Sequence, residues 1–220
     1  MRRYLVFVVL LLLAACSPSR YPDYPDIYYP PVKSSRGLII VDPGHGGEDL
    51  GTKSLKPPIL PEKNMNLVTA RYLAQALEAK GFHVLLTRHD DTFIPLKERA
   101  EFANERRPLL FVSVHYNAAP NKSAKGIEVF YYKTDPKNPR SQASKVLAEM
   151  ILASLITGTE APSRGVKHGN FAVIRETQMP AVLVEGGFLT NEEELQKLKN
   201  PGYLKRIADL IADGIDRYVS

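Results

Sequence analysis

The stretch LIIVDPGHGG at residues 38–47 decides the fold. Residues 38–41 form an uninterrupted apolar run, too short for a helix, and Asp42-Pro43-Gly44 ends it ahead of His45-Gly46-Gly47. A run of this kind reads as a strand buried on both faces, as in a parallel sheet. Working outward, comparable runs recur at residues 83–87, 109–115, 127–132, 171–174 and 181–185. Longer amphipathic segments lie between them. Leu67, Ala70, Leu73, Ala74 and Leu77 recur at three- and four-residue spacing, which predicts a helix over 63–80 that stops at Gly81. Further helices are expected at 96–105, ahead of Pro108, at 141–156, and at 201–218, which opens on a proline at an allowed first-turn position. Asn191 and Glu194 have the spacing of a capping box. Strands alternating with helices predict an α/β fold: a single domain with a mainly parallel central sheet flanked by helices on both faces.

The sequence ahead of this domain reads differently. Arg2 and Arg3 precede an apolar, uncharged stretch over 4–15. About a dozen apolar residues fall short of the ~20 needed to cross a bilayer, so the segment is expected to be a secretory leader. It ends in Leu13-Ala14-Ala15-Cys16, which resembles the lipobox of bacterial lipoproteins. That resemblance implies cleavage before Cys16 and lipidation of its thiol; the plainer alternative is an incidental cysteine beside a cleavage site. Cys16 is the only cysteine, so the fold has no internal disulfide and must rest on its hydrophobic core. Residues 17–36, SPSRYPDYPDIYYPPVKSSR, are rich in proline and tyrosine and lack periodicity. In an extended polyproline form, at about 3.1 Å per residue, they would make a spacer of up to ~60 Å. The chain thus divides into a leader at 1–15, a lipidated cysteine and tether at 16–36, and a folded domain at 37–220. The net charge is +5, with Arg2 and Arg3 in the leader and no run of five or six like charges. This mild excess does not call for nucleic acid and suits an anionic polymer. The expected location is the periplasmic side of the cell envelope, as a monomer anchored by lipid. Ser17, rather than aspartate, after the cysteine is compatible with the inner leaflet of an outer membrane where one exists.

In open α/β sheets, ligands bind beyond the carboxyl ends of the strands. Three runs here carry a metal-type ligand or an acid at that position: His45 after the first, His115 at the end of 109–115, and Glu185 at the end of 181–185. Glu62, just ahead of the helix at 63–80, would face the same rim. Two imidazoles and a carboxylate are the donors of a catalytic zinc site that leaves a fourth position for water. A further carboxylate could take that water's proton. Each residue also has an ordinary reading. His45 could belong to a phosphate-cradling loop, although no Lys-Ser/Thr pair follows and Asp49 stands where GxGxxG needs its last glycine. His115 could be a hydrogen-bonded core histidine, and Glu62 a helix-start residue held by the dipole. Glu185 is harder to explain alone, because a carboxylate ending an apolar strand is costly without a partner. His83 and His89 flank a strand and fit an ordinary surface role.

Four segments, VDPGHGGEDLGT at 41–52, EKNMNL at 62–67, SVHYNA at 113–118 and RGVKHGNFAVIRETQMPAVLVEGGFLTN at 164–191, resemble the zinc-dependent N-acetylmuramoyl-L-alanine amidases of the Amidase_3 type, in that family's motif order. The resemblance runs from about residue 38 to the C-terminus. It implies one zinc ion per chain held by His45, Glu62 and His115, with Glu185 as the catalytic carboxylate. It also implies a peptidoglycan substrate, the amide between the lactyl group of N-acetylmuramic acid and the L-alanine of the stem peptide. Asn117 matches a motif asparagine near the metal, and His168 lies within a motif where it could contact substrate. A zinc peptidase acting within stem peptides is the nearest enzymatic alternative, since such ligands report the reaction class and not the bond. Some family members carry a long helical insert that blocks the zinc until an activator binds. Residues 133–163 here read as one loop and one ordinary helix, which predicts an open site.

Overall fold

The computed structural model describes residues 36–135 and 137–220; the leader, Cys16 and the tether up to residue 35 lie outside the described residues. The chain runs β1 (Leu38–Pro43), α1 (Glu62–Ala79), β2 (His83–Leu86), α2 (Leu96–Arg106), β3 (Leu110–Asn117), β4 (Ile127–Tyr131), α3 (Pro139–Thr159), β5 (Ser163–His168), α4 (Ala172–Arg175), β6 (Ala181–Phe188), α5 (Glu192–Leu198) and α6 (Pro201–Val219). One six-stranded sheet has the order β2-β1-β3-β6-β4-β5. All neighbours pair in parallel except β4 and β6, which are antiparallel. The expected fold, a single α/β domain with a mainly parallel sheet covered on both faces, is what the structure has.

The opening run shows why. Successive strand side chains point to opposite faces, so Ile39 and Val41 enter one core with α1, α3 and α6, while Ile40 enters the other. On that second face Ile40, Phe111, Ala181 and Leu183 pack with Ala103 of α2 and with Val173 and Ile174 of α4. Helix α1 stops at Gly81, at φ +86, where the Phe82 and Gly81 amides return to the carbonyls of Leu77 and Glu78. This is a glycine-terminated helix end of the kind that spacing predicts. Asn138 and Asn200 cap α3 and α6, each ahead of a proline in the first turn.

Two expectations are corrected. Residues 171–174 form no strand; Ala172–Arg175 is a single helical turn, α4. A four-residue apolar run is ambiguous by periodicity, and here Val173 and Ile174 gain burial by capping the face of the sheet. The sixth strand is instead β5, whose SRGVKH sequence has no alternation to reveal it because this edge strand is half-exposed along its length. The capping box at α5 is only half made. Asn191 accepts from the Glu194 amide, but the Glu194 carboxylate turns away to accept from the amides of Phe188 and Gly126, stapling α5 to β6 and to the approach to β4.

The strand order reverses at β1, whose neighbours β2 and β3 are reached by crossovers on opposite faces, and this opens a crevice at the carboxyl edge. A buried polar network fixes the loop leaving β1 there. Arg99 of α2 pairs with Asp42 at 2.8 Å and donates to the carbonyls of Pro43 and His45, at 2.8 and 2.7 Å. Arg88 donates to the carbonyls of Pro43, Gly44 and Lys63. Burial would raise the Asp42 pKa, but Arg99 and the hydroxyls of Thr87 and Ser113 together hold it below the usual carboxylate range. Burial and the adjacent Arg99 push Arg88 down to about 10. At the other end of β1, Arg36 lies against the Phe82 ring, pairs with Asp216 of α6, and has its amide bonded to the Gly81 carbonyl. Arg99→Met strands a buried carboxylate, and its unfolding free energy in urea titration is expected to fall by about 3–5 kcal/mol.

Candidate metal centre and cleft

His45 follows β1 in a left-handed conformation, φ +60, and His115 lies near the carboxyl end of β3. Glu62 is the first residue of α1. The two rings meet edge to face at 4.9 Å. His45 Nε2 lies 3.2 Å from Glu62 Oε2, and His115 Nδ1 lies 2.9 Å from Glu62 Oε1. The three ligand atoms fall within 4.8 Å of one another. A tetrahedral site with arms of ~2.0–2.2 Å has edges of about 3.4 Å, so this donor set fits a metal ion of zinc's size.

The cluster is held by its neighbours. Glu62 accepts from the Thr52 amide at 2.9 Å, the Tyr116 amide at 3.2 Å and Asn66 Nδ2 at 3.1 Å. Burial alone would raise the Glu62 pKa, but hydrogen bonds and charge from His115 and His45 carry it well below the usual range. His45 Nδ1 donates to Asp49 at 2.7 Å, which leaves Nε2 for the centre and orients the ring as a second carboxylate does behind many metal-binding histidines. Two glycines make room: a Cβ on Gly44 would lie 2.2 Å from His115 Nε2, and one on Gly51 would lie 2.6 Å from Glu62 Oε2.

Glu185 projects from β6, paired in register with His115 on one side and Glu128 on the other. Its Oε2 is buried and meets no hydrogen-bond donor among the described residues. Burial, followed by the charges of Glu62 and Glu128, raises its pKa well above the carboxylate norm. A cleft of about 320 Å³ joins Glu185 to the cluster, with Asn117, Phe171 and Val173 in its walls. Helix α3 packs on α6 and β4, and none of its residues lines the cleft.

Five of the six sequence-assigned site residues in the described part therefore converge: His45, Glu62, His115, Glu185 and Asn117. His168 does not. It ends β5 at the opposite edge of the sheet, accepting from the Lys133 amide and packed against Tyr132. Cys16 lies outside the described residues. Sequence reasoning missed Asp49, Asn66 and Glu128. Glu128 is buried beneath the cleft and accepts from Asn117, Arg164 and Lys167. In IEVFY it reads as the outward polar residue of a strand, and only antiparallel pairing with β6 sets it beside Glu185.

Fold and site together define an α/β domain with a His-Glu-His cluster and a buried carboxyl sharing one cleft at the carboxyl edge of its sheet. Residues 39–217 match the family Amidase_3, described as N-acetylmuramoyl-L-alanine amidase, and the chain belongs to that family. The structure is similar to that of an N-acetylmuramoyl-L-alanine amidase from Clostridium difficile 630, with TM-score 0.77 and 39% identity over 82% of this chain and 95% of that one. In sequence it is 38% identical to the amidase LytC of Bacillus subtilis and 33% identical to AmiC of Neisseria meningitidis, over 82% and 84% of this chain. It spans only 35% and 53% of those two proteins.

Because a methyl group at Gly44 would collide with the His115 ring, Gly44→Ala is expected to weaken binding of a divalent metal by at least tenfold, about 1.4 kcal/mol. Calorimetric titration with zinc measures this.

Proposed function

We propose that this chain is a zinc-dependent N-acetylmuramoyl-L-alanine amidase, which hydrolyses the amide between the lactyl group of N-acetylmuramic acid and the L-alanine of the stem peptide in peptidoglycan. The observation that carries the reading is the convergence of His45, Glu62 and His115 with an unpartnered carboxyl, Glu185, across the same cleft. Family membership and the similar amidases support the substrate.

One zinc ion held by His45, Glu62 and His115 would lower the pKa of a bound water toward about 7 and polarise the scissile carbonyl. Glu185 accepts a proton from the attacking water and passes it to the leaving nitrogen. Its Oε2, free of any donor among the described residues, is available for both transfers. Asp49 keeps the His45 ring in one tautomer, and Asn66 keeps Glu62 turned toward the two imidazoles. Phe171 and Val173 give the cleft an apolar wall. The cleft is proposed to be accessible without an activator protein, given that residues 137–163 contribute nothing to its walls. The leader and Cys16 support a lipid-anchored protein of the cell envelope, placed on the periplasmic side.

Glu185→Gln is expected to retain zinc and to lose about 10²- to 10⁴-fold in rate, whereas His45→Ala and His115→Ala lose both metal and activity. Mass spectrometry of digested peptidoglycan, with parallel metal analysis, reads both. Release of intact stem peptides from muramic acid supports the reading, and cleavage inside the peptide replaces it with a zinc peptidase. Adding a chelator should abolish product, and restoring zinc should recover it.

A further inference from the structure

From the pairing of Arg164 and Lys167 on one buried acid, we propose that these two cations form a subsite for a free carboxylate on the peptide side of the scissile amide; this rests on the amidase reading. Arg164 Nε and Lys167 Nζ converge on the same atom, Glu128 Oε2, at 2.9 and 2.5 Å. Two cations against one acid leave an excess positive charge at Glu128, whose other oxygen accepts from Asn117 of the cleft wall, and both side chains remain about a third exposed, at 34% and 39%. The Arg164 guanidinium also lies over the Phe188 ring, at 4.8 Å, yet both cations keep unused donors. Arg164 Nη1 makes only a long, 3.5 Å contact with the Lys125 carbonyl, and its Nη2 has no acceptor among the described residues. Lys167 uses one of its three N–H groups.

Position decides what such a pair would read. Gly165, Glu128 and Glu185 lie in one register row across β5, β4 and β6. With neighbouring strands ~4.8 Å apart, the backbone that carries the cations stands about 10 Å from that of Glu185. A peptide advances at most ~3.6 Å per residue, so this span, shortened by the reach of the side chains, matches the second residue beyond the scissile bond. In a stem peptide that residue is a glutamyl unit linked through its side chain, which leaves its α-carboxylate free. Guanidinium and ammonium groups with unused donors form charge-assisted bonds to such a group. The outer end of the row is also open, since nothing lies within 4 Å of where a Gly165 side chain would begin.

The test compares two synthetic muramyl tripeptides that differ only in a free carboxylate or a carboxamide on the second residue, using the zinc-loaded full chain. The free acid is expected to show a KM about tenfold lower, the size of one charged hydrogen bond. Arg164→Gln and Lys167→Met each leave Glu128 one cation and are expected to bring the ratio of the two KM values toward one. General damage to the site would slow both substrates alike and leave that ratio unmoved. Equal KM values in the unmutated protein, or an undiminished ratio in both variants, overturns the subsite and leaves the amidase reading standing. Cleavage of neither tripeptide overturns that reading, and the subsite with it.

Discussion

Two buried guanidinium groups carry the catalytic edge of this sheet. Where β1 ends, the carbonyls of Pro43, Gly44 and His45 have left the strand ladder and point into protein, where an unmet acceptor costs about 1–3 kcal/mol. Arg88 and Arg99 donate to all three, and Asp42 beneath them supplies the opposite charge that lets two arginines lie side by side. The loop is thereby left with one conformation, including the left-handed His45. Such backbone geometry is unfavourable for a residue with a Cβ and persists only where the surroundings enforce it.

Everything at the centre then follows from one carboxylate. Glu62 stands at the start of α1, where the helix dipole places a partial positive charge and the amides of Glu62 and Lys63 are bonded to the carbonyls of Thr52 and Leu50. Its two oxygens face different histidines, and the bonds from Thr52, Tyr116 and Asn66 prevent the carboxylate from rotating. The His-Glu-His cluster is therefore held in one arrangement by the protein itself. That arrangement resists the repulsion and desolvation that would scatter an unsupported cluster, and it requires the close approach that Gly44 and Gly51 permit.

The sequence made the buried strands legible because their apolar runs are short and bounded, and it exposed His45, His115 and Glu185 because each follows such a run. What it concealed was pairing. Glu128 lies beside Glu185 through the antiparallel register of β4 on β6, and a sequence carries no local sign of strand direction or register. Edge strand β5 lacks the hydrophobic contrast that reveals a strand, so FAVI carries the stronger strand signal although it folds as a helical turn. His168 sits in a family-like stretch, yet β5 runs away from the cleft and carries it to the far edge. Asp49 and Asn66 act through other residues, and such roles leave no pattern of their own.

The clamp around Arg36 fixes a direction as well as a position. It holds the start of the domain at the amino end of β1, against Phe82 and α6, while the cleft opens at the carboxyl end of the same strand. Six residues of parallel strand, at about 3.3 Å each, separate the two by ~20 Å. Whatever is joined to the domain ahead of Arg36 therefore meets it on the side away from the cleft, and leaves the approach to His45 and Glu185 clear.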